Sequence, residues 1–464
     1  MSLSKNIAIT FSAKVIMVGL GLVAGILVAR TLGPEGKGIF AFLSALAGIA
    51  IQFGNLGLQN ANTYFIGKDR TKTFDLLGNS LWVGLILGSI IALGIYAAWA
   101  WYPNKIAGSI DGGLIIMTLV SIPFTLLSLF FQNILLGQQA FVLYNIIQIL
   151  SQVAITVGVI IMMFMGLGIR GLVLLSTAVG IISSITYWVL VGIKSQFSFH
   201  FNFPLFKESL RYGIKSYLTT FFAFLILRSD LYLVNLYRGA AETGLYSLAA
   251  GFADLFQLLP MSIGMVLFPR LAENQSTSGE VTARVVRITT IIMFFLCLGT
   301  GIFAQPIITL LYGEAFRASA LPFIILLPGI FFYSIQAVIA SNIGAIGLPF
   351  YIVYIWLATF LLNFGLNLIL VPKYGMLAAA STSLISYIFV YVLMVLAYLK
   401  ENKLRFKVLI PTWEDVKEAK KHLFALLNRV PLYHTHEPFR KKRNTFPNRI
   451  ISWIGSCLAP EFFT

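Results

Sequence analysis

The chain has 464 residues, of which 58% are hydrophobic and 11% charged, with a formal net charge of +16 and a mean hydropathy of +0.87. Soluble domains carry about 25% charged residues, so the composition excludes a soluble enzyme and points to an integral membrane protein with several spans. The basic excess does not describe a nucleic-acid surface: 13 of the 33 Lys and Arg residues fall in the last 65 positions, and most others lie between apolar segments, as topogenic charge does.

Twelve spans are predicted, at 6–29, 39–66, 76–101, 113–136, 142–165, 171–193, 210–236, 244–268, 284–304, 319–343, 350–371 and 376–399. Each is long enough to cross ~30 Å of hydrocarbon at 1.5 Å per residue. The first is too long for a signal-peptide core and has no small-residue cleavage site, so it reads as a retained span. Within it Lys14 shares a helix face with Asn6, Thr10, Met17 and Gly21. A cation there costs ~2.5–3.5 kcal/mol on insertion scales, so it serves substrate or snorkels to the interface.

The second span carries a polar stripe. Ser44, Gly48, Gln52, Asn55, Gln59 and Asn62 recur at steps of three and four, which places them on one face of one helix. The stripe recurs as Thr118, Ser121, Thr125, Ser128 and Gln132, and again as Asn145, Gln148, Gln152 and Thr156. Membrane helices turn such groups toward a bundle or a wet cavity. Asn55, Gln132, Asn145, Gln148, Asn363 and Asn367 are therefore candidates for hydrogen-bonding sugar hydroxyls, with helix-to-helix bonding as the plainer role. The pairs Gly21/Gly25 and Gly84/Gly88 predict close helix packing.

Three ionisable groups besides the rims stand out in the second half. Arg228 and Asp230 are two residues apart, so they do not share a helix face and each needs its own partner. Asp254 shares a face with Tyr246, Ala250, Gln257, Met261 and Gly264. A carboxylate in a span is kept protonated by desolvation or ionised by a cation, so Asp254 and Asp230 are the candidates for ion coupling. Pairing of Asp254 with Lys14 or Arg228 is the alternative. Cys297 lies in a span and Cys457 in the tail, and His434 and His436 have no further ligands nearby in sequence, so no metal site is expected.

Charge sets the topology. With the N-terminus cytoplasmic, 24 basic residues fall on that side and seven on the other, which predicts that both termini are cytoplasmic. The halves resemble each other at an offset near 206: Gly38-Ile-Phe-Ala parallels Gly244-Leu-Tyr-Ser, and Leu136-Gly137 parallels Ile346-Gly347. Six spans per half imply a parallel repeat. The expected organisation is a six-helix lobe at 1–197, a cytoplasmic linker at 198–209, a second lobe at 210–400 and a basic tail at 401–464. In the tail, Thr412 precedes Glu414 and Asp415 as a helix cap. Arg440-Lys441-Lys442-Arg443 would be drawn to anionic lipid.

The run Arg30-Thr-Leu-Gly-Pro-Glu-Gly-Lys-Gly38-Ile-Phe, then Gly54-Asn-Leu-Gly57, Phe268-Pro269-Arg270 and Tyr312-Gly313-Glu314-Ala-Phe316, resemble the polysaccharide-biosynthesis transporters. These are Wzx-type flippases of the multidrug/oligosaccharidyl-lipid/polysaccharide exporter superfamily. The resemblance covers roughly residues 1–400. It implies an all-α membrane fold with two six-helix lobes in a V, alternating access, and residence in the inner membrane of a prokaryote. It also implies flipping of a polyprenyl-pyrophosphate-linked oligosaccharide, with Lys14 and Arg228 meeting the pyrophosphate. Coupling to a sodium or proton gradient, and association with other polysaccharide-assembly proteins, belong to the same expectation; no cofactor or nucleic acid does. The related drug exporters often carry an acid in the first span, where this chain has Lys14. A membrane polymerase is disfavoured because nothing resembles paired catalytic carboxylates, and no P-loop for ATP is present.

Overall fold

Glycine, proline and a few left-handed residues punctuate the long apolar helices of the described residues. The computed structural model describes residues 3–415 and Lys417, apart from 107, 109, 274–277, 346 and 348. The tail motifs at His434, His436 and Arg440–Arg443 lie outside the described residues. In chain order the helices are α1 (Leu3–Asn55), α2 (Leu58–Lys68), α3 (Thr73–Trp101), α4 (Pro103–Ile106), α5 (Gly112–Gly137), α6 (Phe141–Met165) and α7 (Gly168–Ser195). Then follow α8 (Phe203–Arg238), α9 (Ala240–Phe256), α10 (Leu258–Glu273), α11 (Ser278–Ile302), α12 (Ala304–Tyr312), α13 (Ala320–Ala345) and α14 (Tyr351–Glu401). Among the described residues, ten helical segments are long and apolar enough to cross a membrane.

Several predicted boundaries shift, each for a local reason. The spans predicted at 6–29 and 39–66 run together in α1, broken only at Gly33 (φ 64°, ψ −173°). Pro34 lacks an N–H and disfavours helix in the residue before it, while glycine tolerates the left-handed turn. The spans predicted at 350–371 and 376–399 likewise merge in α14, with a break at Gly375 (φ 59°, ψ −136°) shortly after Pro372. The stripe predicted over 44–62 is not one continuous face: Leu56 (φ 49°) and Gly57 (φ 80°) end α1 and re-aim α2. The span predicted at 244–268 is two helices, α9 and α10, that meet at Gln257.

In a lipid environment every backbone group must be paired within the protein, and the turns between helices satisfy this. After α6, the Leu167 N–H reaches Met162 O and the Gly166 N–H reaches Met163 O, both at 3.3 Å, the double bond of a Schellman end. Gln139 (φ 58°) closes α5 in the same way: Ala140 N–H bonds to Leu135 O and Gln139 N–H to Leu136 O, both at 2.9 Å.

The core divides by chain region. One large apolar cluster draws on α8 to α14, around Tyr246, Phe316, Val338 and Tyr398, with Ala29 and Ala45 added from α1. Smaller clusters join α2, α3 and α5 to α7 around Leu77, Phe131 and Val191, and α1 to α5 around Phe42 and Ile122. Of the predicted glycine pairs, Gly84 and Gly88 do pack closely. A Cβ on Gly88 would lie 2.6 Å from Pro123 Cα, and one on Gly84 would lie 2.4 Å from the Leu127 side chain. Gly21 and Gly25 do not: Gly25 has nothing within 4 Å.

The repeat-related glycines meet each other. A Cβ on Gly38 would fall 1.7 Å from Ala240 O, and one on Gly244 would fall 1.8 Å from Pro34 O. At this end of the bundle Arg30 also donates from Nε to Leu311 O (2.8 Å) and from Nη2 to Leu310 O (2.6 Å). It thereby satisfies carbonyls that the last turn of α12 leaves open. Glu242 accepts from Met376 N–H at 2.6 Å and from Arg238 Nε at 2.9 Å, which fixes the break at Gly375. At the opposite end, Gly57 packs on Gly213, Tyr64 stacks on Tyr212 with ring centroids 4.0 Å apart, and Asn60 Nδ2 donates to Ser216 Oγ at 2.8 Å.

Candidate functional site

Two polar clusters lie within the spanning helices, one on each side of the α1–α9 crossing in sequence. The first is built where the Thr10 face of α1 meets α6. Asn145 Nδ2 donates to Thr10 Oγ1 at 3.0 Å, Gln152 lies 3.9 Å from where a Gly21 Cβ would stand, and Thr156 Oγ1 donates to Leu20 O at 3.3 Å. Gln148 Nε2 donates to Gln132 Oε1 at 2.8 Å, which carries the cluster onto α5. The Ser151 and Ser183 hydroxyls, 2.8 Å apart, extend it to α7.

Lys14 belongs to this cluster by its position on α1, between Thr10 and Gly21 on the same face. It is half-buried and has no hydrogen bond or ion pair among the described residues. Of the sequence candidates, the structure brings Gln132, Asn145 and Gln148 to one region, and Lys14 lies on the face of α1 that meets it. Asn55 is separate: it is fully buried at the end of α1, and neither amide atom has a partner among the described residues. An unpaired buried amide costs roughly 1–3 kcal/mol, so Asn55 is a strained point where α1 turns into α2.

The second cluster lies among α8, α9, α13 and α14. Arg228 Nη2 and Asp254 Oδ2 form a salt bridge of 2.7 Å, with side chains 30% and 37% exposed. Tyr333 and Tyr387 flank this pair, their rings 4.9 Å apart. Asp230 turns the other way, as the two-residue spacing requires. It is buried and accepts hydrogen bonds from the Tyr246 hydroxyl, the Leu231 N–H at 2.7 Å and Ser383 Oγ at 3.3 Å. Beside Ser383, Thr382 Oγ1 donates to Asn367 Oδ1 at 2.7 Å, and Asn367 Nδ2 donates to Asn363 Oδ1 at 3.1 Å. Asn363 Nδ2 is buried without a partner among the described residues.

Asp254, a candidate for ion coupling, is thus the counterion of Arg228, a candidate for substrate. The pair is net neutral as it stands. Tyr246 had been placed on the Asp254 face, yet its hydroxyl serves Asp230. Ser383, Thr382, Tyr333 and Tyr387 were not singled out from sequence. The available signal was the Ser381-Thr382-Ser383 run one turn from Ser386 in an apolar helix, a costly placement unless the hydroxyls find partners. No group of three or more His, Cys, Asp or Glu side chains is gathered for a metal ion among the described residues. The oxygen-rich set around Asp230, Asn363, Asn367 and Thr382 is instead of the kind that hard cations prefer.

Comparison with known proteins follows the same lines. The structure resembles the lipid II flippase MurJ in its inward closed conformation, with a TM-score of 0.73, 18% identity and coverage of 97% of both chains. In sequence, the chain is 25% identical over 370 residues to an O-antigen transporter of Shigella flexneri, covering 76% of this chain and 87% of that one. It is 20% identical over 395 residues to the low-salt glycan biosynthesis flippase Agl15 of Haloferax volcanii, covering 83% and 81%. Residues 3–275 match the model of the family described as polysaccharide biosynthesis protein. That match spans more than half of the chain, which is therefore a member of the polysaccharide biosynthesis protein family.

Proposed function

We propose that the chain carries a lipid-linked oligosaccharide, a polyprenyl pyrophosphate bearing sugars, from the cytoplasmic to the outer leaflet by alternating access. The breaks in α1 at Gly33 and in α14 at Gly375 support a reading of the ten spanning segments as twelve spans, six on each side of the 198–209 linker. The charge asymmetry supports cytoplasmic termini, so the Gly38–Gly244 end faces outward. Family membership, with one homologue named an O-antigen transporter and another a glycan biosynthesis flippase, supports transport of a polysaccharide precursor rather than catalysis.

Lys14 carries the reading of the substrate. It is a half-buried cation without an acidic partner among the described residues, held on the face that meets Asn145 and Gln152. A phosphate brought against an ammonium in a low-dielectric site gains a charge-assisted hydrogen bond stronger than its counterpart in water. Gln132, Asn145 and Gln148 supply donors and acceptors for sugar hydroxyls nearby. Arg228 is a second contact, reached by exchange of Asp254 for phosphate. Asp254 and Asp230 are the groups proposed to take up a proton or sodium ion, and the basic tail is proposed to meet anionic lipid.

Flipping of a defined lipid-linked oligosaccharide in proteoliposomes tests this. Lys14→Ala should weaken binding strongly, Lys14→Arg should retain part of the activity, and Lys14→Gln should behave like alanine. Wild-type transport by the Gln variant at equal membrane abundance would refute the pyrophosphate contact.

A further inference from the structure

The linker between the two halves is built inside out. Between α7 and α8, residues 196–202 carry no helix, and Phe197, Phe199 and Phe201 recur there at every second position, with Phe203 opening α8. A period of two places alternate side chains on opposite faces. On a water-exposed loop the phenylalanines would turn inward. Here they turn out, with exposures of 44%, 61%, 37% and 62%, while Ser198 between them is 1% exposed.

Ser198 and Asn202 are turned to the protein, while His200 between them is exposed. Asn202 N–H donates to Asn79 Oδ1 at 2.7 Å, Asn202 O accepts from Asn79 Nδ2 at 3.0 Å, and Asn202 Nδ2 donates to Asp75 Oδ2 at 2.9 Å. The indole N–H of Trp82 donates to Phe199 O at 2.7 Å. The backbone lies close on α3, since a Cβ on Gly78 would stand 2.0 Å from His200 O. The segment is thus stapled to the N-terminal part of α3, and its apolar face is left partly uncovered, with Phe197 against Trp188 (ring centroids 4.9 Å) and Phe201 against Phe206 (5.4 Å).

That face continues the surfaces that spanning helices present to lipid. Ile193 precedes it at 69% exposure, and Ile86 of α3 is 54% exposed beyond Trp82. Beside Ile86 an entirely apolar cleft of about 480 Å³ opens, lined by Leu56, Trp82, Phe201 and Phe206 among others. Cations frame the segment: Lys194 on one side and Lys207 and Arg211 on the other are exposed. Phenylalanine in the middle with lysine and arginine at the ends matches acyl chains below a layer of phosphates.

We propose that residues 196–203 form a membrane-seated strap, with the four phenylalanines inserted among the acyl chains of the leaflet on the linker side and Lys194, Lys207 and Arg211 at its phosphates. The strap ties the N-terminal part of α3 to the start of α8 at the bilayer surface, so the hinge between the two halves is held in the interface instead of hanging in water. This does not depend on the substrate proposed above.

Site-directed spin labelling of the full chain in proteoliposomes tests it. Single cysteines at 199, 200, 201, 203 and 207 would be labelled in a background carrying Cys297→Ala and Cys457→Ser. Labels at 199, 201 and 203 should collide several-fold more with oxygen than with a water-soluble nickel chelate, and labels at 200 and 207 should show the reverse. Equal nickel accessibility at all five positions would overturn the strap. Spin–spin broadening that grows with the protein-to-lipid ratio would make a second copy the occupant and overturn it too. A label-free measurement guards against disturbance by the probe. Lipids brominated along the acyl chain should quench the wild type more than Trp82→Phe, and equal quenching of the two would contradict the assignment.

Discussion

Gly38→Ala is the most direct test of how the two halves meet. The added Cβ would lie 1.7 Å from Ala240 O, where an ordinary carbon–oxygen contact is about 3.3 Å. The obstacle is backbone, so no rotamer change relieves it, and α1 and α9 must separate by about 1.6 Å at the crossing. Overpacking of this kind costs roughly 1–3 kcal/mol. Replacing a helical glycine by alanine would by itself stabilise by up to about 1 kcal/mol, so a net loss of up to about 2 kcal/mol is expected. The control is Gly25→Ala in the same helix, which has nothing within 4 Å and should be neutral or slightly stabilising. Thermal unfolding in detergent, followed by size-exclusion of the soluble fraction, compares the two at equal expression. Because the clash sits at the proposed outer end, a cysteine pair at positions 37 and 241 should also cross-link more slowly in Gly38→Ala. A Gly38→Ala protein as stable as Gly25→Ala, with unchanged cross-linking, would refute the close crossing.

Asp254→Asn should flatten the pH or sodium dependence of transport while the protein still inserts; an unchanged dependence would make the Arg228 pair structural. Asp230→Asn replaces an acceptor of three hydrogen bonds with an amide that must turn its own donor toward one of them, so it should lower thermal stability by at least ~1 kcal/mol, and an unshifted unfolding midpoint would argue against the buried network. The Arg287–Asp415 pair (2.9 Å) holds the segment after α14 to α11. Burial opposes ionisation of Asp415, but hydrogen bonds from Thr412 and Arg287 outweigh it and hold the carboxyl below its usual value. The pair therefore contributes fully above the ordinary carboxylate range and is lost as pH falls through the lower folded value. Hydrogen exchange across 406–415 should stay slow at neutral pH and accelerate only below about pH 4, whereas Arg287→Gln should accelerate it at neutral pH.

Legibility in the sequence followed the range of the interaction. Spans were legible because apolar runs of that length have few other uses, and the breaks at Gly33-Pro34 and Gly375 fall where proline and glycine advertise them. The break at Leu56–Gly57 was not legible, since leucine at φ 49° carries no sequence signal and is held there by the packing of Gly57 on Gly213. The repeat offset did carry long-range information: Gly38 and Gly244 were matched as equivalents, and they prove to be mutual contacts. Partners were the hardest. Asp254 lies 26 residues from Arg228 and could be proposed as its mate, but Ser383 lies 153 residues from Asp230 and Asn145 lies 135 from Thr10. Nothing local to either residue points that far.

Lys14 and Arg228, both half-buried, differ in what an anionic substrate could gain from them. Arg228 already has a carboxylate at 2.7 Å, so a phosphate arriving there exchanges one anion for another and gains only the difference between the two pairings. Lys14 has no such partner among the described residues, so the same phosphate neutralises a charge whose burial was uncompensated. Within the proposed function, affinity for the pyrophosphate should therefore rest mainly on Lys14. Arg228 does something else. If phosphate takes its guanidinium, Asp254 is left without its counterion, and the proposed coupling ion would take the place that Arg228 gives up. Substrate and ion would then be linked through a single exchange of partners, and the same residues that make the pair neutral at rest would make it responsive in use.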